Sequence, residues 1–243
     1  MFVNVSLILP CFNEEKNIQF IVEEFFKINF LDTSCELILV NNGSNDNTEA
    51  EIDKNILKFK NEKLFIKKIN LKKNLGYGGG IAKGLQEAKG EYIGWCHADF
   101  QTPLEDFFKL YNLIKNKKNV LGKGFRTNNR GFDGIVSTLH EKLATIILGK
   151  HLTEINAQPK IFHKETLKNL KNLPYEWTSI DTYIVYFCKL KKYEIIEMDV
   201  VFRNRLYGES KWKNNTISFL KHIIFNVTYL FKLRLNIAKI HFD

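Results

Sequence analysis

Apolar runs of strand length alternate with stretches of helical period through the first hundred residues. Val3 to Leu9 is dominated by Val, Leu and Ile and predicts a strand. From Glu14 to Ile28 the period changes. Ile18, Ile21, Val22, Phe25 and Phe26 recur at helical spacing and mark one face of a helix. A second strand is predicted over Glu36 to Val40, broken by Asn42-Gly43. Asp46 to Phe59 reads as helix, Leu64 to Ile69 as strand, Gly79 to Ala88 as helix and Glu91 to Cys96 as a further strand. This order predicts an α/β fold, a mainly parallel sheet with helices on both faces. Ligands of such sheets bind beyond the carboxyl ends of the strands. Pro10 to Glu15, Asn41 to Asp46 and His97 to Gln101 each follow a strand end. Three polar clusters are therefore expected on one edge of the sheet.

The second half is less regular. Leu104 to Lys115 and Gly134 to Leu148 read as helices, and Tyr193 to Arg203 as a strand. From Asn214 the chain is helical in period and apolar on one face, and Pro- or Ser-rich linkers are absent.

Composition narrows this picture. A chain of 243 residues, 44% hydrophobic, can fill one full-sized core or one core with a small appendage. A net charge of +9 suits phosphates, nucleic acid or an anionic membrane face, or else a lysine-rich solvated surface. Cys11, Cys35, Cys96 and Cys188 are widely spaced in apolar contexts and read as reduced core thiols. There is no basic segment followed by a cleavable apolar stretch at the amino terminus, so a cytosolic protein is expected. No uncharged run approaches the ~20 residues of a spanning helix.

Each polar cluster has a plain structural reading beside a chemical one. His97 and Asp99 stand two apart in extended chain, so both side chains point the same way. With the Gln101 amide they could share one divalent cation. Oxygen ligands suit Mg²⁺ or Mn²⁺, and an imidazole tilts the choice toward Mn²⁺. Alternatively Asp99 caps the helix that begins near Pro103. In LPCFNEE, Asn13 can be an N-cap with Glu14 and Glu15 complementing the helix dipole, or Glu14 and backbone groups can meet a nucleobase. Asn42-Gly43 makes a turn and Asp46 can cap the next helix, with a ribose or base contact by Asn42 as the other reading. NLGYGGG looks like a phosphate-cradling loop before a helix. A dinucleotide fingerprint belongs after the first strand, which here runs into Pro10-Cys11-Phe12, so a dehydrogenase is disfavoured. In FRNRLYGESKW, Arg203, Arg205 and Lys211 flank Gly208, a pattern suited to a diphosphate or to an exposed basic loop.

Taken in order, these clusters resemble the family-2 glycosyltransferases, the group of GT-A fold that includes dolichyl- and polyprenyl-phosphate sugar synthases. That family carries P-x-[YF]-N-E after its first strand, where this chain has LPCFNEE. Its V-D-D-G-S-x-D-x-T is matched by VNNGSNDNT, and its glycine and D-A-D-L-Q-x-P motifs by NLGYGGGIAKGLQEAKGEYIGWCHADFQTP. Its R-x-x-G-x-S-K is matched by RLYGESK. The series runs from Leu9 to Lys211, and its order sets the nucleic-acid and dehydrogenase readings aside.

The resemblance implies a Rossmann-like nucleotide-binding domain of GT-A type over residues 1–213, and the helical, one-sided apolar period that follows makes 214–243 an amphipathic helical tail. It implies that Pro10, Asn13, Glu14 and Asn42 surround the base and ribose of a nucleoside-diphosphate sugar. His97, Asp99 and Gln101 stand at the metal motif, implying Mg²⁺ or Mn²⁺. Arg205, Ser210 and Lys211 would face the diphosphate or the acceptor phosphate. INAQPKIF stands where the family has Gly-Phe-Lys or Gly-Phe-Arg, implicating Gln158 and Lys160. GFR stands at a Gly-x-Arg, implicating Arg126 as an acceptor-phosphate ligand. SIDTY matches an Asp-containing helix start, so Asp181 would be the base or orient the acceptor. Two departures stand out: Asn41-Asn42 replaces an Asp pair, and His97 replaces the first Asp of the metal motif.

The implied reaction is inverting sugar transfer, with cations neutralising the leaving diphosphate. A phosphate acceptor needs no general base, whereas a hydroxyl acceptor does. In the tail, Ile217, Leu220, Ile224, Val227 and Phe231 recur at helical spacing beside Lys221, Lys232, Arg234 and Lys239. Such a helix can lie peripherally on the inner, anionic face of a membrane, or pack on the core or a second subunit. Three readings stay open: transfer to a lipid-linked acceptor, extension of a surface polysaccharide, or a non-catalytic nucleotide-sugar or glycan-binding module.

Overall fold

The computed structural model describes residues 3–28, 33–59, 63–128, 131–170, 179–203, 205 and 216–240. The first half alternates as β1 (Val5–Cys11), α1 (Glu15–Lys27), β2 (Cys35–Asn41), α2 (Thr48–Lys58), β3 (Leu64–Asn70), α3 (Gly76–Glu87) and β4 (Tyr92–Trp95). The second half adds α4 (Leu104–Ile114), β5 (Val120–Arg126), α5 (Phe132–Leu148), β6 (Lys160–His163), α6 (Lys164–Asn169), α7 (Ser179–Leu190), β7 (Glu194–Val200) and α8 (Thr216–Ile240).

Among the described residues one seven-stranded sheet runs in the order β3-β2-β1-β4-β6-β5-β7. All its pairings are parallel except those that β6 makes with β4 and β5. The expected α/β fold with a mainly parallel sheet is therefore present. Helices cover both faces, which explains why the central strands are apolar on both sides. On β1, Leu7 and Leu9 join Ile18, Phe25, Leu37 and Phe107 under α1, α2 and α4. Ile8 points the other way, joining Ile38, Ile81, Trp95, Phe162 and Ile184 under α3 and α7. The two-residue period of the strand sorts its side chains between the two cores.

Several local expectations change. The GYGGG run is not a loop: it forms the first turns of α3, which begins at Gly76. Asp99 does not cap α4. The N-cap position is Pro103, and the Leu104 N–H is met by Glu24 Oε1 at 2.9 Å. Asn13 is not the N-cap of α1 either; Glu14 holds that position without a side-chain cap. The strand β6 enters antiparallel, so its first residue, Lys160, pairs with Trp95 at the carboxyl end of β4. An antiparallel insertion thus brings a strand's beginning to the edge where its parallel neighbours end.

Candidate functional site

The loops after β1 and β2 are laced together. Asn13 sits in the left-handed region at φ 60, which an Asn tolerates when its side chain bonds locally. Its Oδ1 accepts the Asn45 N–H at 2.9 Å, and its own N–H donates to Ser44 Oγ at 3.0 Å. The Glu14 N–H donates to Thr48 Oγ1 at 2.8 Å, and Asp46 accepts the N–H groups of Glu15 and Thr48. The Glu14 carboxyl takes a 2.6 Å bond from Asn17 Nδ2. Burial pushes its pKa up to about 7, opposed by the Asn17 bond, with Asp99 raising it and Arg205 lowering it further. Glu14, Asp99 and Arg205 therefore share one electrostatic environment.

Asn42 is buried and engaged at both ends of its amide. Nδ2 donates to the Gly76 carbonyl at 2.8 Å and to Asn74 Oδ1 at 3.2 Å, and Oδ1 accepts the Leu75 N–H at 3.0 Å. It braces the chain that leads into α3, a role that needs both a donor and an acceptor and that a carboxylate could not fill. Asn41 likewise donates to Asn70 Oδ1 at 2.6 Å. Gly43, at φ 68, lets this turn close: a Cβ there would stand 2.5 Å from the Lys73 carbonyl carbon. The two Asn residues that depart from the family pattern thus act within the scaffold, and Pro10, the last residue but one of β1, pairs with Val40 beside them.

At the end of β4 the His97 ring stacks on Tyr77, centroids 5.3 Å apart, and meets the Phe202 ring edge-on at 6.4 Å. Burial in this aromatic setting pushes the imidazole below its usual range, against the pull of Asp99 and Asp181. Asp99 is buried. Its Oδ2 lies 3.0 Å from Arg205 Nε and its Oδ1 accepts the Gln101 N–H at 3.2 Å. Gln101 Oε1 also accepts from Arg205 Nε, and Gln101 Nε2 donates to the Arg203 carbonyl. Asp99, Gln101 and Arg205 thus form one cluster, joining the β4 motif to the segment after β7. Ser210 and Lys211 lie outside the described residues.

A second cluster is assembled by β5, β6 and α7. Lys160 Nζ is 2.6 Å from Asp181 Oδ1 and donates to the Ala157 carbonyl at 2.7 Å. Both side chains are at most 1% exposed. Burial lowers the Lys160 pKa to about 8, with Asp181 opposing the fall. Gln158 Nε2 donates to Asp181 Oδ1 at 3.1 Å and to the Tyr77 hydroxyl at 2.8 Å, while Gln158 Oε1 is buried without a hydrogen-bond partner among the described residues. Arg126 pairs with Glu154, lies over the Phe202 ring at 5.9 Å, and has a buried Nη2 that is also unpartnered there. Tyr77 therefore links the two clusters, stacking on His97 and bonding Gln158. Sequence reasoning missed Tyr77, Glu154 and Phe202. Tyr77 stands at a variable place inside a glycine motif, and only the fold reveals its neighbours.

A divalent cation fits this site in a restricted way. Among the described residues no group of three or more His, Cys, Asp and Glu side chains could hold a metal ion. Gln101 is engaged by Arg203 and Arg205, and the His97 ring is stacked. That leaves Asp99 as the one carboxylate of the motif. One or two carboxylates completed by substrate phosphates is a usual set for Mg²⁺.

Comparison with known proteins places the chain among glycosyltransferases. The chain is 28% identical over 232 residues to a dolichyl-phosphate beta-glucosyltransferase of Trichomonas vaginalis, covering 87% of this chain and 68% of that one. It is 26% identical over 223 residues to an undecaprenyl-phosphate 4-deoxy-4-formamido-L-arabinose transferase of Proteus mirabilis, covering 90% and 64%. It is 27% identical over 241 residues to a dolichol-phosphate mannosyltransferase of Pyrococcus furiosus, covering 91% and 63%. The chain thus spans about two-thirds of the length of the curated relatives it matches. Among solved structures, it shares its fold with glucosyl-3-phosphoglycerate synthase of Mycobacterium tuberculosis in complex with Mn²⁺, UDP and glucosyl-3-phosphoglycerate, at TM-score 0.66 and 16% identity, covering 96% of this chain and 79% of that one. It also shares it with a mannosyltransferase of Pyrobaculum calidifontis in complex with GDP-Man and Mn²⁺, at TM-score 0.66 and 18% identity, covering 93% and 63%. The profile described as "Glycosyl transferase family 2" matches residues 6–186, from β1 into α7 and across both side-chain clusters except Arg205 and Phe202. The chain therefore belongs to glycosyl transferase family 2 and is a glycosyltransferase of GT-A fold.

Proposed function

We propose that this enzyme moves a sugar from a nucleoside-diphosphate donor onto the phosphate of a polyprenyl-type lipid, inverting the anomeric centre. The observation that carries the reading is the state of Asp181. It is the candidate base of the site, yet it is buried against Lys160 at 2.6 Å and also accepts from Gln158. Its Oδ1 already meets both the Lys160 ammonium and the Gln158 amide, so that oxygen is not free for an acceptor hydroxyl. Such a site suits an acceptor that arrives already anionic. The unpartnered Arg126 Nη2 supports the same reading, because a buried guanidinium nitrogen without an acceptor is costly until an anion meets it. The named relatives that act on dolichyl, dolichol or undecaprenyl phosphate add weight.

In this reading an acceptor phosphate oxygen bonds to the anomeric carbon as the bond from that carbon to the donor's β-phosphate oxygen breaks. The nucleoside diphosphate leaves with the electron pair, and no proton is removed from the acceptor. Pro10, Asn13 and Glu14 border the base and ribose, and Asn42 holds the wall behind them. Asp99 would hold Mg²⁺ or Mn²⁺, which when bound supplies positive charge to the leaving diphosphate, and His97, stacked on Tyr77, walls that edge of the site. Gln101 positions Arg205, which moves from Asp99 to the phosphates as the donor enters. Ser210 and Lys211 act on the same diphosphate, and Gln158 Oε1 accepts from a sugar hydroxyl. Lys160 holds Asp181, and together they fix Gln158. The donor is taken from the cytoplasm, where the four buried free cysteines would stay reduced.

The test is transfer of labelled sugar from UDP-glucose, GDP-mannose and related donors to a short prenyl phosphate and, separately, to free glycans. Label extracted into organic solvent, with the anomeric configuration opposite to the donor's, is the expected result. Label found only in the glycan would replace this reading with polysaccharide extension, in which Asp181 would have to leave Lys160 to act as base.

A further inference from the structure

Helices α5 and α8 pack against each other, and α8 also touches α7. Each buries one side: Ala144 and Leu148 on α5, Leu230 and Leu233 on α8. Arg234 of α8 hydrogen-bonds Tyr186 of α7, which ties α8 to the body of the domain at that point. The outward sides carry large apolar side chains in water. Ile135, Leu139 and Ile146 of α5 are 67%, 58% and 76% exposed. Leu220, Ile224, Phe231 and Leu235 of α8 are 57%, 57%, 55% and 64% exposed. On both helices these positions recur four and seven residues apart, which lines them up in one narrow stripe per helix. Single exposed apolar residues are ordinary, but two neighbouring stripes of them mark an interaction surface.

Charge decides between the occupants. The other outward positions include Lys142, Lys150, Lys221 and Lys232. From Thr216 to Ile240 there is no Asp or Glu. The carboxylates of α5, Asp133 and Glu141, are not among its exposed positions, and Glu141 feels Arg126 and Lys123 on the inner side. A symmetric contact with a second copy would set cations against cations with no carboxylate between them. An anionic bilayer takes apolar side chains into its acyl boundary and cations at its headgroups. No described helix is long and apolar enough to cross a membrane, so the contact is with a surface.

We infer that α5 and α8 together form one face that docks on anionic lipid and presents the acceptor site to the headgroup layer. α5 follows β5 in the chain, and β5 ends at Arg126, the acceptor-phosphate candidate. The docking itself needs only the face, whereas its use in presenting the acceptor rests on the polyprenyl-phosphate reading.

The full chain is mixed with phosphatidylglycerol vesicles and with phosphatidylcholine vesicles, and bound protein is measured by flotation. Binding is expected on phosphatidylglycerol, weakened about tenfold or more by high salt and by the neutral lipid. Leu139→Glu with Ile146→Glu should cut it about tenfold with α8 unaltered, and Ile224→Glu with Phe231→Glu should do the same with α5 unaltered. Both variants should keep transfer to a short, water-soluble prenyl phosphate. Serine at the same positions serves if a glutamate variant fails to fold. Wild type that ignores anionic vesicles, or an α5 variant that binds them fully, overturns the inference. So does a wild-type dimer in sedimentation that these variants dissolve. Soluble-acceptor transfer without vesicle binding would sink the docking face alone. Vesicle binding without transfer to any prenyl phosphate would sink the acceptor reading alone.

Discussion

Lys160 and Asp181 stand 2.6 Å apart at most 1% exposed, so each is a buried charge tolerated because of the other. Removing one partner leaves the other uncompensated, whereas replacing both with apolar groups removes the burden. Asp181→Asn should destabilise the fold by roughly 3–5 kcal/mol, and Lys160→Met with Asp181→Leu should recover much of that loss. Denaturant unfolding measures both, and an Asp181→Asn variant as stable as wild type would refute the pairing. Glu14 gives a pH dependence with a definite sign. Its folded pKa is raised to about 7 by burial, opposed by its Asn17 bond, with Asp99 adding to the rise. The folded chain therefore binds the proton more tightly than the unfolded chain does. The associated stability is fully present below the unfolded pKa, near 4.5, and is lost as pH rises through about 7. Glu14→Gln mimics the protonated form. Its melting temperature should match wild type near pH 4 and exceed it above pH 7, by a gap worth about 2–3 kcal/mol. A gap that does not change with pH would show that Glu14 titrates normally.

The elements differ in how far the sequence declares them. Strands β1 and β2 are apolar on both faces, and α1 carries a clean stripe at Ile18, Ile21, Val22 and Phe25, so composition and period coincide there. The strand β6 is short, begins with Lys160 and ends with His163, and its pairing depends on β4 and β5, both distant in sequence. Neither period nor propensity identifies such an element. The site divides the same way. Asp99 and Glu14 stood out as polar residues at strand ends, but the roles of Asn13, Asn42 and Tyr77 come from partners about thirty to eighty residues away. Gly94 marks where β6 was admitted. A Cβ there would lie 2.0 Å from the Lys160 carbonyl oxygen and 2.8 Å from Ile161 Cα, both backbone atoms that cannot step aside. Gly94→Ala should therefore cost about 3 kcal/mol or more and loosen the β4–β6 pairing that sets Lys160 beside Asp181. Hydrogen exchange at Ile161 and Phe162 would report it, and unchanged protection with unchanged stability would count against this account.

At the scale of the molecule, one sheet edge gathers residues from β1, β4, β5 and β6 with α3, α7 and the chain after β7. Ligand binding at that edge should stabilise the whole cooperative unit. A ligand at a hundredfold excess over its Kd adds about 2.7 kcal/mol to the folded state. For a domain of this size that is a rise in Tm of roughly 5–10 °C. UDP, GDP, CDP and dTDP, each with Mg²⁺ or Mn²⁺, are the ligands to screen, and the base that fits should show such a rise. Asp99 divides the effect. With Asp99→Asn the carboxylate that neutralises Arg205 is gone, so on the proposed reading the diphosphate meets a freer guanidinium, while a cation at this motif would lose its one anionic side chain. The increment due to adding metal should vanish in Asp99→Asn, and the shift from the metal-free diphosphate should persist or grow. In the proposed arrangement the free nucleoside meets neither group, so its shift should be the same in both proteins. If the metal increment survives in Asp99→Asn, the cation is held by other atoms. If the nucleoside shift falls with it, Asp99 is shaping the base pocket and its place at the diphosphate is wrong.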